Sequence, residues 1–206
     1  MLKQTIVSYP DRGPYGNGAY RGNTSGYLIK DLAETFGAGS LFDPMEGSGT
    51  SRDVAKHLGI RYEGRDLREG FDIMSPISRK QIEALDKFDM VFFHPPYWNM
   101  ITYRQNNPHD FSSGSYPTYL ARMHNSLTWL GSLLNPGGRL CLLLADLRRG
   151  NQTFFLNDDT TAPKIKGVIK EFRVIKVQHN TTSDGNVNLV GNVRMVHEYV
   201  TVWYKP

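Results

Sequence analysis

Two short strings constrain this chain more than any other feature: Asp43-Pro44-Met45-Glu46-Gly47-Ser48-Gly49-Thr50 and His94-Pro95-Pro96-Tyr97-Trp98. Each follows a short apolar run, Ser40 to Asp43 and Phe88 to Phe93, of the kind that makes a buried strand. Both strings therefore sit at carboxyl ends of strands, where open α/β sheets bind their ligands. The segments around them alternate in the same way. A helix opens near Thr24 or Ser25 and stops at Gly37-Ala38-Gly39; another runs through Val54, Ala55 and Leu58 to Gly59, ahead of the strand Ile60 to Glu63. Pro76 begins a third helix before the strand Phe88 to Phe93. Leu120, Met123, Leu127, Leu130 and Leu134 recur at helical spacing up to Asn135-Pro136-Gly137-Gly138, and the strand Arg139 to Ala145 follows. A last helix is predicted around Ala162 to Phe172, then strands Val174 to His179 and Met195 to Tyr204 joined by a polar loop. Strands alternating with helices and closing on a hairpin predict an α/β fold with a mostly parallel sheet and an antiparallel edge.

The length of 206 residues suits one domain spanning the whole chain, with residues 1–23 as an irregular N-terminal arm. No run approaches the ~20 apolar residues of a membrane helix, and the first residues lack the apolar centre of a signal peptide. A cytoplasmic location is the expectation. The single cysteine, Cys141, lies in an apolar run and reads as a packed strand residue. The net charge of +4 permits a polyanionic partner without requiring one. His57, His124, His179 and His197 are scattered with no ligand spacing, so no metal site is expected.

A strand ending in an acid, followed by Gly47 and Gly49, lets backbone come close to a ligand. The spacing fits neither a phosphate loop nor a dinucleotide fingerprint. The octet resembles the Asp-Pro-Phe-x-Gly-Ser-Gly-Thr loop of S-adenosylmethionine-dependent DNA amino-methyltransferases, the N4-cytosine/N6-adenine methylases, with Met45 in place of Phe. The resemblance implies a Rossmann-like class I methyltransferase fold: a mostly parallel seven-stranded sheet, an antiparallel C-terminal hairpin strand and helices on both faces. It also implies that Asp43, Pro44, Glu46, Gly47, Ser48, Gly49 and Thr50 contact S-adenosyl-L-methionine. The segment with Asn23, Thr24 and Ser25 resembles the one that closes over the methionine end in these enzymes. Gly64-Arg65-Asp66 matches the acidic strand end that grips the ribose, and Asp72 in Gly70-Phe71-Asp72-Ile73 matches the acid that reads the adenine.

His94-Pro95-Pro96-Tyr97 resembles the catalytic loop of the same family, in a subgroup that carries His at the first position. Two prolines fix the backbone and remove two N–H groups, so nearby carbonyls can be aimed at the hydrogens of an acceptor amine. The resemblance makes His94, Pro95, Pro96 and Tyr97 catalytic, with His94 also beside the cofactor. Tyr97 and Trp98 are expected to hold an extruded base. A neutral imidazole accepts through one ring nitrogen and loses that ability on protonation. His94 leaves adenine and cytosine equally open as targets.

The long segment from Asn99 to Tyr116 offers Tyr103 and Arg104, with Asn106, Asn107 and His109, for reading a flipped base. Asp146 and Arg148 resemble a further strand-end segment of these methylases and are expected at the base pocket. No separate target-recognition domain is expected within these 206 residues. Duplex DNA with a flipped base is the expected partner, and a homodimer or a separate specificity subunit would supply further contact surface. The alternatives are methyl transfer to RNA or to a protein amide, and a non-catalytic nucleic-acid-binding module derived from a methylase.

Overall fold

The computed structural model describes residues 1–100, 109–179 and 195–206. Nine strands and five helices follow one another as β1 (Ile6–Ser8), α1 (Gly26–Phe36), β2 (Ser40–Asp43), α2 (Thr50–Leu58), β3 (Arg61–Gly64), α3 (Pro76–Glu83), β4 (Phe88–Phe93), α4 (Tyr116–Ser132), β5 (Leu134–Leu144), β6 (Leu147–Arg149), β7 (Gln152–Phe154), α5 (Leu156–Thr161), β8 (Ile169–Val177) and β9 (His197–Tyr204). These counts cover the described residues. The main sheet has seven strands in the order β1-β8-β9-β5-β4-β2-β3. Every pairing in it is parallel except β5 with β9 and β8 with β9. From β2 the chain crosses to β3 on one side, then returns to β4 on the other. That reversal opens a crevice beyond the carboxyl ends of β2 and β4, where Asp43 and His94 stand.

The sheet is buried on both faces, which is why β4 and β5 read as nearly continuous apolar runs. Side chains alternate: Leu140, Leu142 and Leu144 enter one core with Phe88, Phe93, Met123, Leu127 and Leu130, whereas Cys141 and Leu143 enter the other with Phe92, Leu28, Leu32 and Val54. The helices α3 and α4 thus cover one face, and α1 and α2 the other. At the opposite end of the strands Asp89 collects the Gly39 N–H at 3.0 Å, the Ser40 hydroxyl at 2.9 Å and the Asn135 amide at 2.8 Å, which ties the starts of β2, β4 and β5 together. Among the described residues no helix is long and apolar enough to cross a membrane.

The sheet differs from the sequence reading in four places. The seventh strand, β1, comes from the arm expected to be irregular through residue 23; it pairs with β8, and of its three residues only Val7 is buried. The helix expected over 162–172 is absent. Pro163 lies just beyond α5, Gly167 takes φ of 80°, and the chain from Ile169 is already paired with β9. The Asn135-Pro136-Gly137-Gly138 turn lies inside β5, at the irregular register between Phe88 and Met90. Finally, β6 and β7 form a separate two-stranded ribbon around Gly150 and Asn151.

Candidate active site

A cavity of about 270 Å³ fills the crevice between the ends of β2 and β4. Its floor on the β2 side is the Gly-rich turn. Asp43 is buried; its carboxylate accepts from the Met45 N–H at 3.0 Å and from the Ser51 hydroxyl. Burial, reinforced by nearby Glu46 and Asp66, pushes that carboxyl up to about 7 against the hydrogen bonds it accepts. Asp66 follows β3 and caps the short turn Leu67–Glu69. One of its oxygens accepts from the Gly47 N–H at 3.1 Å and the other from the Arg68 N–H and Nε at 2.9 and 2.8 Å. A carboxylate has about four acceptor positions, so Asp66 keeps one for a ligand. Glu46 takes the Tyr62 hydroxyl at 2.8 Å and Arg52 at 3.2 Å.

The N-terminal arm forms the wall facing this turn. Gly16 N–H donates to Asp53 at 2.8 Å, and the Thr50 hydroxyl donates to Asn23 Oδ1 at 2.5 Å. Tyr20 lies against Gly47, and the Arg68 guanidinium covers the Tyr20 ring 4.9 Å from its centre. A Cβ on Gly47 would come within 3.0 Å of Tyr20, and one on Gly49 within 2.3 Å of Arg52. Both glycines also have positive φ, 52° and 81°. Their lack of a side chain thus serves the turn and its protein neighbours, and Gly47 also lines the cavity. In the same wall Thr24 carries a buried hydroxyl without a hydrogen-bond partner among the described residues.

On the β4 side His94 and Pro96 line the cavity, joined by His109, Asp110 and Phe111. Asp110 and Phe111 are held from α4, where Arg122 donates to the Ser113 carbonyl at 2.7 Å and to those of Asp110 and Phe111 at 3.3 Å. His94 Nε2 is 3.3 Å from the Tyr97 hydroxyl, which in turn is 2.7 Å from Glu198 Oε1. Burial drives the His94 imidazole down to about 4, with Lys176 adding to the shift and Glu198 opposing it. The ring is therefore neutral at pH 7 and able to accept a proton or hydrogen bond. Burial acts to raise the Glu198 carboxyl, but Lys176, His94 and the Tyr97 hydroxyl outweigh it and hold the group at about 2.

Of the residues singled out in the sequence, Asn23, Thr24, Asp43, Pro44, Glu46, Gly47, Ser48, Thr50, Asp66, His94, Pro96 and His109 converge on this one cavity. Ser25, Gly49, Asp72, Pro95, Tyr97 and Trp98 are not on its wall. Ser25 opens α1, and its hydroxyl donates to the Asp11 carbonyl at 3.3 Å. Asp72 contacts His109 Nδ1 at 2.7 Å, so it reaches the cavity only through that ring. The Pro96 carbonyl already accepts the Tyr119 hydroxyl at 3.2 Å. Trp98 packs against Tyr116 and Phe154 and donates to the Gly114 carbonyl at 2.9 Å. Asp146 and Arg148 also lie away from this wall, Asp146 taking the Asn157 N–H at 3.3 Å and Arg148 standing in β6. Tyr103, Arg104, Asn106 and Asn107 fall outside the described residues. Sequence reasoning missed Tyr20, Arg68, Asp110, Phe111, Lys176 and Glu198. The arm and the segment after His94 had drawn notice as segments, but nothing local marked Lys176 or Glu198.

The sheet order and the position of the crevice define a Rossmann-like fold of the kind found in methyltransferases. The structure is similar to TrmN from Thermus thermophilus, with a TM-score of 0.50 and 16% identity over 90% of this chain and 50% of that one. A methyltransferase from Pyrococcus furiosus matches at a TM-score of 0.48 and 15% identity, covering 88% and 83% of the two chains. TTHA0409 from Thermus thermophilus, named as a candidate DNA modification methylase and solved with S-adenosyl-L-methionine, matches at 0.44 and 20% identity over 62% of this chain and 52% of its own. The chain spans about half the length of TrmN and TTHA0409. No family model and no curated protein matches the sequence.

Proposed function

We propose that this protein is an S-adenosyl-L-methionine-dependent methyltransferase acting on the exocyclic amine of a nucleobase, N6 of adenine or N4 of cytosine, in DNA. The observation that carries this reading is one cavity joining an acid-lined Gly turn at the end of β2 to His94 at the end of β4. The turn half suits the cofactor. Glu46 and Asp66 place two carboxylates around it, with the Asp43 carboxyl, pushed up to about 7, beside them, favourable to a ligand bearing a sulfonium and an ammonium. Among the described residues the Thr24 hydroxyl lacks a partner, which such a ligand would supply, and Asp66 retains an acceptor position for a ribose hydroxyl. When bound, S-adenosyl-L-methionine supplies an electrophilic methyl whose bond to sulfur breaks as a bond to nitrogen forms.

This chain's residues provide position and a place for the proton. The rigid Pro95-Pro96 backbone fixes His94 relative to the turn half. Holding an amine and a methyl donor in line converts a bimolecular encounter into a first-order step, the largest gain available here. A neutral His94 accepts the hydrogen bond from the amine and takes the proton released when nitrogen acquires its fourth bond. DNA as the acceptor is supported by the resemblance of both loops to amino-methyltransferases and by the net charge of +4. A homodimer or a specificity subunit belongs to the same proposal, as a source of further surface for contacting DNA.

The test is to incubate the purified protein with isotope-labelled cofactor and unmethylated duplex DNA, then to identify the labelled nucleoside by mass spectrometry. Labelled N6-methyladenine or N4-methylcytosine is the expected product and names the base. Label appearing only in RNA or protein acceptors would overturn the DNA assignment, and no transfer to any acceptor would overturn the enzyme assignment.

A further inference from the structure

A buried polar chain runs from His94 into the sheet. Lys176 and Glu198 are register partners on β8 and β9, both buried, with Nζ 2.5 Å from Oε2. The other carboxylate oxygen accepts the Tyr97 hydroxyl at 2.7 Å, and that hydroxyl is 3.3 Å from His94 Nε2. Counting protons fixes the direction of each bond. An ionised Glu198, paired with Lys176, can only accept. Tyr97 has one O–H and donates it to Glu198, so its oxygen can only accept from the imidazole. Nε2 therefore carries the hydrogen. A neutral imidazole has a single N–H, which leaves the lone pair on Nδ1. Among the described residues nothing hydrogen-bonds to Nδ1.

We infer that Glu198 and Lys176 are positioning residues which, acting through Tyr97, hold His94 in its Nε2–H tautomer and leave Nδ1 as the acceptor for the N–H of a substrate. The inference rests on the amine methyl transfer proposed above for the identity of that substrate. It assigns Tyr97 a role other than stacking on a base, in keeping with its absence from the cavity wall. It also explains an expensive arrangement: a lysine and a glutamate buried together seldom gain stability over an apolar pair, and here they fix a tautomer.

The experiment is a long-range proton–nitrogen NMR spectrum of the imidazoles at pH 7, with the His94 signals assigned by their loss in His94→Asn. The wild type is expected to show a single Nε2–H pattern for His94. Tyr97→Phe removes the acceptor, and Glu198→Gln replaces an obligate acceptor by an amide that can also donate. Each is expected to move the signals toward an average of the two tautomers. An Nδ1–H or averaged pattern in the wild type overturns the inference, as does a wild-type pattern retained in both variants. The wild-type spectrum decides even where a variant does not fold. These spectra require neither cofactor nor acceptor. A failed methylation assay beside an Nε2–H spectrum thus strikes the proposed function, whereas an Nδ1–H spectrum strikes this inference.

Discussion

The two halves of the cavity are built in opposite ways. The β2 half is more local: within Asp43 to Thr50 the strand end, the turn and the start of α2 are consecutive, and the side chains that brace them, Asn23 and Asp66, lie 27 positions from Thr50 and 19 from Gly47. The β4 half is assembled from afar. His94 depends on Tyr97, Tyr97 on Glu198 across 101 positions, and Glu198 on Lys176 in the neighbouring strand. A site made from one turn can be copied as a short motif; a site made from the end of β4 together with β8 and β9 depends on the whole sheet being in register. The loop proposed to bind a cofactor and the loop proposed to act on an acceptor should therefore fail independently.

The largest expected effect lies on the β4 side. His94→Ala should lower turnover by about 10²–10⁴-fold, the usual contribution of a positioned acid or base, while cofactor affinity shifts by no more than about twofold. Single-turnover rates and calorimetry check the pair of values, and a matched loss in both would merge the two halves into one unit. Next is Asp66→Ala, which should weaken cofactor binding by about 10–100-fold, the scale of lost hydrogen bonds to a charged group, and change the rate at saturating cofactor far less.

The smallest effect concerns Asp43 and stability. Its folded carboxyl titrates at about 7, above its ordinary value near ~4 in an unfolded chain. Between those values the folded protein holds a proton that the unfolded chain has released. This contribution to stability is present below the lower value and is lost as pH rises through the upper one. Asp43→Asn should therefore gain stability relative to the wild type between pH 5 and pH 8, by about 1–3 kcal/mol, with no such gain below pH 4. Thermal unfolding at three pH values tests the sign.

The same contrast explains what could be read in the sequence. Asp43 to Thr50 and His94 to Tyr97 were legible because strand, turn and helix signals fall within a few residues, and twelve of the residues named from them and their flanks, His109 included, do meet in one cavity. Lys176 and Glu198 were not, because a lysine inside Ile175-Lys176-Val177 reads as an outward strand residue until its cross-strand partner is known. Gly47 and Gly49 were singled out for close approach to a ligand; the structure adds that both have positive φ and that a Cβ on them would meet Tyr20 and Arg52. The strand at Ile6–Ser8 was invisible because three residues with one buried side chain carry no periodicity. Over 162–172, Pro163 and Gly167 outweighed an apolar spacing that also fits a strand such as β8.

The decisive experiment is a calorimetric titration of S-adenosyl-L-methionine into the wild-type protein and into Asp66→Ala and His94→Ala. One molecule is expected to bind per chain, with binding weakened in Asp66→Ala and unchanged in His94→Ala. Absence of binding to the wild type, or equal weakening by both substitutions, would contradict the division of this cavity into a cofactor half and an acceptor half.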